Sequence, residues 1–310
     1  MARTRKYGQK GRSIMDTNHV YRVGEVTVTR VPELILDSNT PEYLYPQWDP
    51  SFIQEHEKWL VPGNMDKTRM HIFQSIYTWV LRTKQHTILI DTGAGNDKER
   101  IWMPRLNRLK SPYLKRLKAA DVTPAMVDYV ILTHLHVDHV GWNTQLVDGT
   151  WEPTFPNATY VFSKSEKRHY SDPENYPVNS RVKFIVYEDS VRPVIQAGQA
   201  EIIEPDGVEF LEGISLYPVP GHSIGQMAVC LTSGGEEALF GGDVMHHPIQ
   251  VYRPEWNSVY CEDAQQARVS RRWALDYLAD RRALFFSSHF AETSVGRVTR
   301  TGDRFVWQFC

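Results

Sequence analysis

The sequence predicts an α/β protein whose strands form a two-sheet sandwich with helices on the outside. Three observations carry that reading. Apolar runs of strand length alternate with helical patterns in two successive blocks, and each block mixes both kinds of element. Histidines and aspartates stand at the ends of apolar runs in both blocks. No low-complexity linker and no internal repeat separates the halves, so the expected organisation is a flexible tail at 1–20 and a single domain at 21–310.

The totals set the limits. In 310 residues, 41% are hydrophobic and 23% charged, which is the composition of a globular protein with ample material for a core. A net charge of −2 gives no global pull toward nucleic acid. The three cysteines, Cys230, Cys261 and Cys310, are too scattered for a disulfide framework or a cysteine-based zinc site. The start, Met1-Ala2-Arg3-Thr4-Arg5-Lys6, is basic but no apolar stretch follows it, and no window reaches the roughly eighteen apolar residues of a membrane span. The expectation is therefore a cytoplasmic protein with no membrane and no nucleic-acid partner.

Taken in order, the chain turns β-like from Tyr21 to Leu36, with Val23, Val26, Val28 and Val31 set among Thr and Glu. Residues 39–67 carry four prolines among Tyr43, Tyr45, Trp48, Phe52 and Trp59. That content is too aromatic for a disordered linker. The segment reads as an ordered, cap-like lobe with a helix near Ile53–Trp59, which either lines a cleft or covers the core. Ile72–Arg82 and Gln85–Ile90 read as strands, the second running into the turn Asp91-Thr92-Gly93-Ala94-Gly95. Leu106–Ala119 has helical spacing divided by Pro112, and a short helix starts at Thr123-Pro124. Further strands are expected at Tyr129–Leu132, Ala158–Phe162, Val208–Tyr217, Met227–Leu231, Ala238–Phe240 and Leu284–Ser287. Helices are expected at Ser165–Tyr170 and Glu262–Leu278, and a hairpin at Gly296–Phe309.

The strand at Tyr129–Leu132 delivers the most informative stretch, Thr133-His134-Leu135-His136-Val137-Asp138-His139-Val140-Gly141. It sets four metal-capable side chains within six residues, and polar side chains at such density are rarely a packing solution. Imidazole and carboxylate are the ligands of zinc and other divalent transition metals. Three more candidates stand at strand ends downstream: His222 after Pro220-Gly221, Asp243 after Gly241-Gly242, and His289 after Ser287-Ser288. Each alone is an ordinary loop residue. Together with the cluster, these seven residues suit two metal ions held by five histidines and two aspartates.

The H-x-H-x-D-H motif, followed in order by His, Asp and His, resembles the metallo-β-lactamase superfamily, and the resemblance runs from about Tyr21 to the C-terminus. It implies the αββα sandwich, with two mixed sheets flanked by helices. Residue by residue, it implies His134, His136 and His222 on one metal, Asp138, His139 and His289 on the other, and Asp243 bridging them. His136 stands where diiron electron-transfer members carry Glu, and Asp243 where the best-known penicillin-hydrolysing members carry Cys, so neither activity is expected. Val244-Met245-His246-His247-Pro248-Ile249-Gln250 after the bridging Asp is similar to the branch of lactonases and methyl-parathion-hydrolase-type phosphotriesterases.

The activity this implies is hydrolysis of a small apolar lactone or ester, a phosphotriester being a further substrate, by a metal-bridging hydroxide with Asp138 and Asp243 as its carboxylates. The alternatives carried are an iron-dependent persulfide dioxygenase and a glyoxalase-II-like thioesterase; those relatives usually show Gly-Gly where this chain has Gly141-Trp142. Zinc is the default metal, with manganese, cobalt and iron suited to the same nitrogen–oxygen set. Asp91 and Thr133 sit where they would orient ligating imidazoles. His246 either faces the substrate, holding an oxyanion or protonating a leaving group, or supports its loop; His247 is the weaker candidate. Trp48, Trp142 and Phe290 are candidate pocket walls, while His19, His56, His71, His86 and His169 read as ordinary histidines. A small molecule is the expected partner, and a homodimer is compatible with the chain.

Overall fold

The computed structural model describes residues 19–310. The basic start and nearly all of the tail expected at 1–20 lie outside the described residues. Val20 does not belong to that tail, because it opens the first strand.

One seven-stranded sheet holds β1 (Val20–Val23), β2 (Val26–Asn39), β3 (Ile72–Arg82), β4 (Thr87–Ile90), β5 (Tyr129–Ile131), β8 (Thr159–Ser163) and β9 (Ala200–Ile203), in that spatial order. Strands β1 to β4 are antiparallel neighbours, while β4, β5, β8 and β9 run parallel. The second sheet runs β10 (Glu209–Leu211), β11 (Ile214–Pro218), β12 (Met227–Ser233), β13 (Glu236–Phe240), β14 (Leu284–Phe286), β15 (Val295–Thr301) and β16 (Arg304–Phe309), with one parallel pair, β13 and β14. A separate hairpin, β6 (Thr144–Val147) and β7 (Thr150–Pro153), stands outside both sheets.

The two-residue period of a strand decides which side chains face which layer. On β3, Tyr77, Trp79 and Leu81 enter the core between the sheets, while Val80 faces the outer side. On β12, Met227, Val229 and Leu231 point inward and Ala228 and Cys230 outward. Phe240 and Phe286 stack on adjacent strands at a centroid distance of 4.6 Å, and Phe286 meets Trp79 of the opposite sheet edge-on at 5.0 Å. Truncating Phe286 to Ala would cost about 3–5 kcal/mol, the usual range for a buried aromatic ring.

Helices cover both outer faces. Tyr113 and Leu117 of α3 (Tyr113–Ala119) pack on the first sheet. The long α8 (Ala264–Arg281) lays Ala274, Leu275 and Leu278 on the second. Its N-terminus is fixed by Asp263, whose carboxylate accepts from the backbone N–H of Gln265 and Gln266 at 3.0 and 2.9 Å. The architecture is the αββα sandwich that the sequence predicts. No helix among the described residues is long and apolar enough to cross a membrane.

The aromatic segment folds as α1 (Pro41–Leu44) and α2 (Ser51–Leu60). Leu44, Tyr45, Phe52 and Leu60 pack with Ile249 and Trp256 as a satellite core beside α7 (Ile249–Tyr252). The segment is thus chiefly a cover, and only Asn39 and Tyr43 of residues 39–67 reach the cleft described below. Two expectations fail locally. The helix expected from Leu106 is confined to Tyr113–Ala119, since Pro112 cannot continue a preceding helix and residues 106–108 form turns. The stretch 142–196 also contains the β6–β7 hairpin and the helices α5 (Ile185–Ser190) and α6 (Arg192–Gln196), none of them expected. The remaining short helix, α4 (Lys164–Tyr170), matches the expected one to within a residue.

Candidate metal centre and its cleft

Five strands deliver the centre. Asp91 follows β4 and Thr133 to His139 follow β5, both parallel strands of the first sheet. His222, Asp243 and His289 follow β11, β13 and β14 of the second sheet. These strand ends meet along one edge of the sandwich, where loops are free to carry polar side chains. The edge is locked across the two sheets at His289: its backbone carbonyl accepts from the Ser75 N–H on β3 at 2.8 Å, and its Nδ1–H donates to the Ser75 carbonyl at 2.8 Å. Gly242 is required here, because with φ +52° a Cβ would fall 2.9 Å from the Thr133 side chain.

All seven expected ligand residues are brought together. His134, His136 and His222 place their ligand atoms within 4.8 Å of one another, as do Asp138, His139 and His289, and Asp243 groups with His134 and His139 and again with His222 and His246. Asp243 is the hub. Its Oδ2 lies 3.0 Å from His289 Nε2 and 3.2 Å from His222 Nε2, and its Oδ1 lies 3.3 Å from His139 Nε2. Asp138 stands 3.7 Å from His289 and 3.8 Å from His139.

The outward nitrogens are tied down, and that sets the tautomers. His139 Nδ1 lies 2.8 Å from Asp91 Oδ2 and donates to it. Asp91 also accepts from the Thr133 N–H at 2.8 Å and from the Thr133 hydroxyl at 2.9 Å. With its proton committed to Asp91, Thr133 Oγ1 is an acceptor for His134 Nδ1–H at 3.0 Å. His134, His139 and His289 therefore each turn a bare Nε2 inward. The expectation for Asp91 and Thr133 thus matches what they touch, and Asp91 takes the left-handed φ of +56° to do so.

The residues present fit a cation. His134 Nε2, His139 Nε2 and Asp243 Oδ1 are buried inside the ring without any hydrogen-bond partner, which in a closed protein interior calls for an ion or water. His136 Nδ1 and His222 Nε2 face each other at 2.8 Å, so in the empty ring they share one proton as an N–H···N bond and both are placed to reach one ion. The charges agree. Burial would raise Asp243, but the imidazoles of His289, His139, His222 and His246 hold it well below the usual carboxylate range. Burial likewise pulls His139 down, but Asp243, Asp91 and Asp138 overcome it and hold that imidazole well above its ordinary value, so the carboxylates favour positive charge at its Nε2, a proton in the empty ring or a cation in the proton's place. His134 and His222 are pushed well below theirs, by burial first, and stay neutral as ligands must. Nitrogen and carboxylate donors of this kind suit zinc, manganese, cobalt or iron.

The ring opens onto a cleft of about 980 Å³. Leu36, Trp102, Met103, Val137 and Ile224 supply apolar lining, and Asn39, Gln74, Tyr176 and Tyr260 supply polar groups. Such a mixture orients a small ligand through a few polar contacts within apolar walls. His246 lines this cleft, buried, with Nε2 3.3 Å from Asp243 Oδ2 and neither ring nitrogen in a well-aligned hydrogen bond. His247 turns the other way. Its Nε2 bonds the Asn64 carbonyl at 3.1 Å, and burial lowers it to about 4, so it supports the loop.

The three expected pocket walls are not in the cleft, and each has a packing reason. Trp142 donates its Nε1–H to Glu33 at 2.6 Å and stacks on Tyr113 at 5.0 Å. Phe290 is fully buried against Phe285 and Trp307. Trp48 packs on Phe52 and Trp256 in the satellite core.

Conversely, sequence reasoning passed over several residues that shape the site. His169, which reads as an ordinary histidine in the sequence, lines the cleft 4.0 Å from Glu262. Glu33 is buried and accepts from the Ala94 and Gly95 N–H groups, Trp142 and Ser111, so it holds the turn after Asp91 in place. Trp102 and Met103 are carried by a loop pinned from beneath. There Arg100 makes two 2.8 Å bonds to the buried Asp189, and Lys98 Nζ meets Thr144 at 2.8 Å and the Asp189 carbonyl at 3.1 Å. No local motif marks these residues, because their partners lie some 45 to 110 positions away.

Comparison with known proteins agrees with the geometry. The N-acyl homoserine lactonase of Bacillus cereus is 24% identical over 184 residues, covering 56% of this chain and 62% of that protein. The chain spans about half the length of the curated relatives it matches, between 40% and 62%. Among solved structures, AbOPH, a hydrolase in the β-lactamase superfamily, superposes with a TM-score of 0.80 at 22% identity, covering 94% of this chain and 97% of its own. AidC, a dizinc quorum-quenching lactonase, gives 0.78 at 20% identity, covering 96% and 98%. At those identities the superpositions speak for the fold. The metallo-β-lactamase superfamily model matches residues 72–289, from the first residue of the strand that carries Ser75 to His289 itself, and the chain belongs to that superfamily.

Proposed function

We propose that the protein is a binuclear metal-dependent hydrolase, folded as one domain from Val20 onward, that cleaves a small, largely apolar lactone or ester. One observation carries the reading: inward-facing bare nitrogens and carboxylate oxygens ring Asp243 at the floor of a cleft with mixed lining. His134, His136 and His222 would hold one ion, Asp138, His139 and His289 the other, and Asp243 would serve both. Ions held there supply Lewis-acid polarisation of a carbonyl or phosphoryl oxygen and a water nucleophile active near neutral pH. The likeness to the Bacillus cereus N-acyl homoserine lactonase and to the lactonase AidC supports the substrate class, and the likeness to the hydrolase AbOPH supports hydrolysis more generally.

The chain's own residues do the rest. Asp91 and Thr133 keep His134 and His139 in the tautomers that present Nε2. Asp138 lines the cleft and directs its carboxylate toward the incoming water. His246 faces the cleft with neither ring nitrogen in a well-aligned hydrogen bond, and burial holds it below its ordinary value, so as a neutral imidazole it would steady the charge on the leaving oxygen through its N–H. Leu36, Trp102, Met103 and Val137 exclude water from the apolar part of the substrate.

The test is metal analysis joined to an activity screen over lactones, aryl esters, phosphotriesters and thioesters, with thiol-dependent oxygen uptake measured alongside. The wild type should bind two ions and hydrolyse a lactone or ester, and Asp243→Ala should lose both properties. Full activity with two ions retained in Asp243→Ala would refute the reading, and one iron with oxygen uptake would replace it by the dioxygenase.

A further inference from the structure

His136 differs from the other histidines of the ring in two ways. Its side chain is 23% exposed, whereas those of His134, His139, His222 and His289 are 0–4% exposed, so packing alone does not hold it. It also presents Nδ1 to the ring, 2.8 Å from His222 Nε2, and turns Nε2 outward. A ligating imidazole of this kind needs an acceptor on its outer nitrogen to fix both tautomer and orientation. That acceptor is Tyr170 Oη, at 2.9 Å.

A phenol oxygen is a modest acceptor, and its own proton has to go elsewhere. Tyr170 donates it to Glu262 Oε1 at 2.5 Å, a short bond of the charge-assisted kind. Glu262 Oε1 also lies 3.7 Å from His136 Nε2, so its charge faces the same N–H. Both members are rigidly mounted. Tyr170 ends α4 and is buried, with its hydroxyl 3.0 Å from Ser223 Oγ. The Glu262 backbone N–H donates to the His222 carbonyl at 3.1 Å, and the next N–H, of Asp263, donates to the Gly221 carbonyl at 2.8 Å. Glu262 therefore moves with His222, the neighbour of His136 across the ring. The arrangement repeats the one behind His134, where Thr133 Oγ1 accepts from the imidazole and passes its proton to Asp91.

We infer that Tyr170 and Glu262 form a second imidazole–hydroxyl–carboxylate relay, which positions His136 and tunes the affinity of the ion held by His134, His136 and His222. The inference rests on the metal-centre reading proposed above. Both residues also border the cleft, but the relay acts on the ion through His136, and in that role both are positioning residues. Because the relay braces one ligand group only, its loss acts on one of the two ions.

The experiment uses the full chain in wild-type form and as Tyr170→Phe, Glu262→Ala and Glu262→Gln. Zinc affinities are read by competition with a chromophoric chelator, and the cobalt(II)-loaded proteins by their visible absorption. Tyr170→Phe and Glu262→Ala should weaken one of the two ions about 10–100-fold and leave the other unchanged. The cobalt bands of the affected site should shift, with the unfolding midpoint of the chelator-treated protein within a few degrees of wild type. Glu262→Gln keeps an acceptor for the Tyr170 proton and should recover most of the affinity. Wild-type affinities and an unchanged cobalt spectrum in both disruptive variants would overturn the inference. So would an equal loss of both ions together with a lowered unfolding midpoint, the mark of a merely structural role. Wild-type protein that takes up no zinc refutes the metal centre itself and the relay with it.

Discussion

Replacing Asp91 by Asn is the sharpest test of how the centre is built, because it changes one atom of a side chain that touches no substrate. Three donors converge on the two Asp91 oxygens: the Thr133 N–H at 2.8 Å, the Thr133 hydroxyl at 2.9 Å and the His139 Nδ1–H at 2.8 Å. An amide offers one oxygen and one NH₂. The Thr133 N–H is fixed in the backbone and can only donate, so the amide oxygen must stay on its side and the NH₂ must face His139. His139 then has one way to avoid a buried donor–donor clash. It shifts its proton to Nε2 and so blocks the nitrogen that points at Asp243. The cost to folding is one charge-assisted bond exchanged for a weaker one, about 1–3 kcal/mol. The cost to metal is larger in effect, roughly a 10–100-fold loss for the ion served by His139. Chelator competition measures the affinity, urea unfolding measures the stability, and imidazole ¹⁵N chemical shifts report the tautomer. A folded Asp91→Asn protein that binds both ions as tightly as wild type, with His139 still protonated on Nδ1, would refute the reasoning.

The other predictions concern the supports and the cleft. Trp142→Phe removes the 2.6 Å bond to buried Glu33 and should cost about 1–3 kcal/mol in urea unfolding while leaving KM unchanged, since Trp142 is not a cleft residue; a large rise in KM would restore it to the pocket. Lys98 is lowered to about 7, by burial in spite of Asp189, so between about pH 7 and 10 the unfolded chain binds a proton that the folded one does not. Stability should therefore rise with pH across that window, by at most about 1.4 kcal/mol per unit. Lys98→Met should flatten the profile, and identical slopes in the two proteins would contradict it. His246→Ala should lower kcat on substrates with poor leaving groups more than on activated aryl esters, with two ions still bound; an equal effect on both would assign His246 to the scaffold.

The convergence of the candidate ligands was legible because the superfamily motif is local. Four of its members lie between His134 and His139, and the other three each end a strand whose apolar run is visible. The edges of β3 were legible for the same reason, Ile72 and Arg82 bounding one unbroken β-rich run. What failed was long-range. Trp142, Phe290 and Trp48 look alike as aromatic residues near a site, and only their partners, at Glu33, Trp307 and Trp256, show that they pack away from it. Tyr170 and Glu262 are 92 positions apart and meet over His136 with no pattern to announce them. Helix α3 is shorter than its apolar spacing suggested, because residues 106–109 serve the Trp102 loop and not the helix face: Leu106 and Leu109 pack with Met103 and Ala94.

That division between what is local and what is long-range bears on specificity. The centre is made at strand ends, where register and inter-sheet packing hold backbone positions closely, and ligand chemistry tolerates little displacement. The cleft walls come from elsewhere: Leu36 from the end of β2, Trp102 and Met103 from a loop fastened to Asp189, Tyr176 and Lys183 from the stretch between α4 and α5. The polar anchor of the Trp102 loop is separate from the groups that orient the ligands. The Asp189 pair lies under the loop, and its partners are Lys98, Arg100 and Thr144, not Asp91 or Thr133. Substrate range can therefore be altered at Leu36, Trp102 or Met103 without removing the hydrogen bonds that set the ligand tautomers, whereas substitutions at Asp91 or Thr133, which do not line the cleft, act on the metal and should leave the order of substrate preference as it was. Exchanging Trp102 for Ala should accordingly reorder a panel of lactones of increasing chain length with both ions retained, and a variant that lost an ion instead would show that the loop and the centre are one unit.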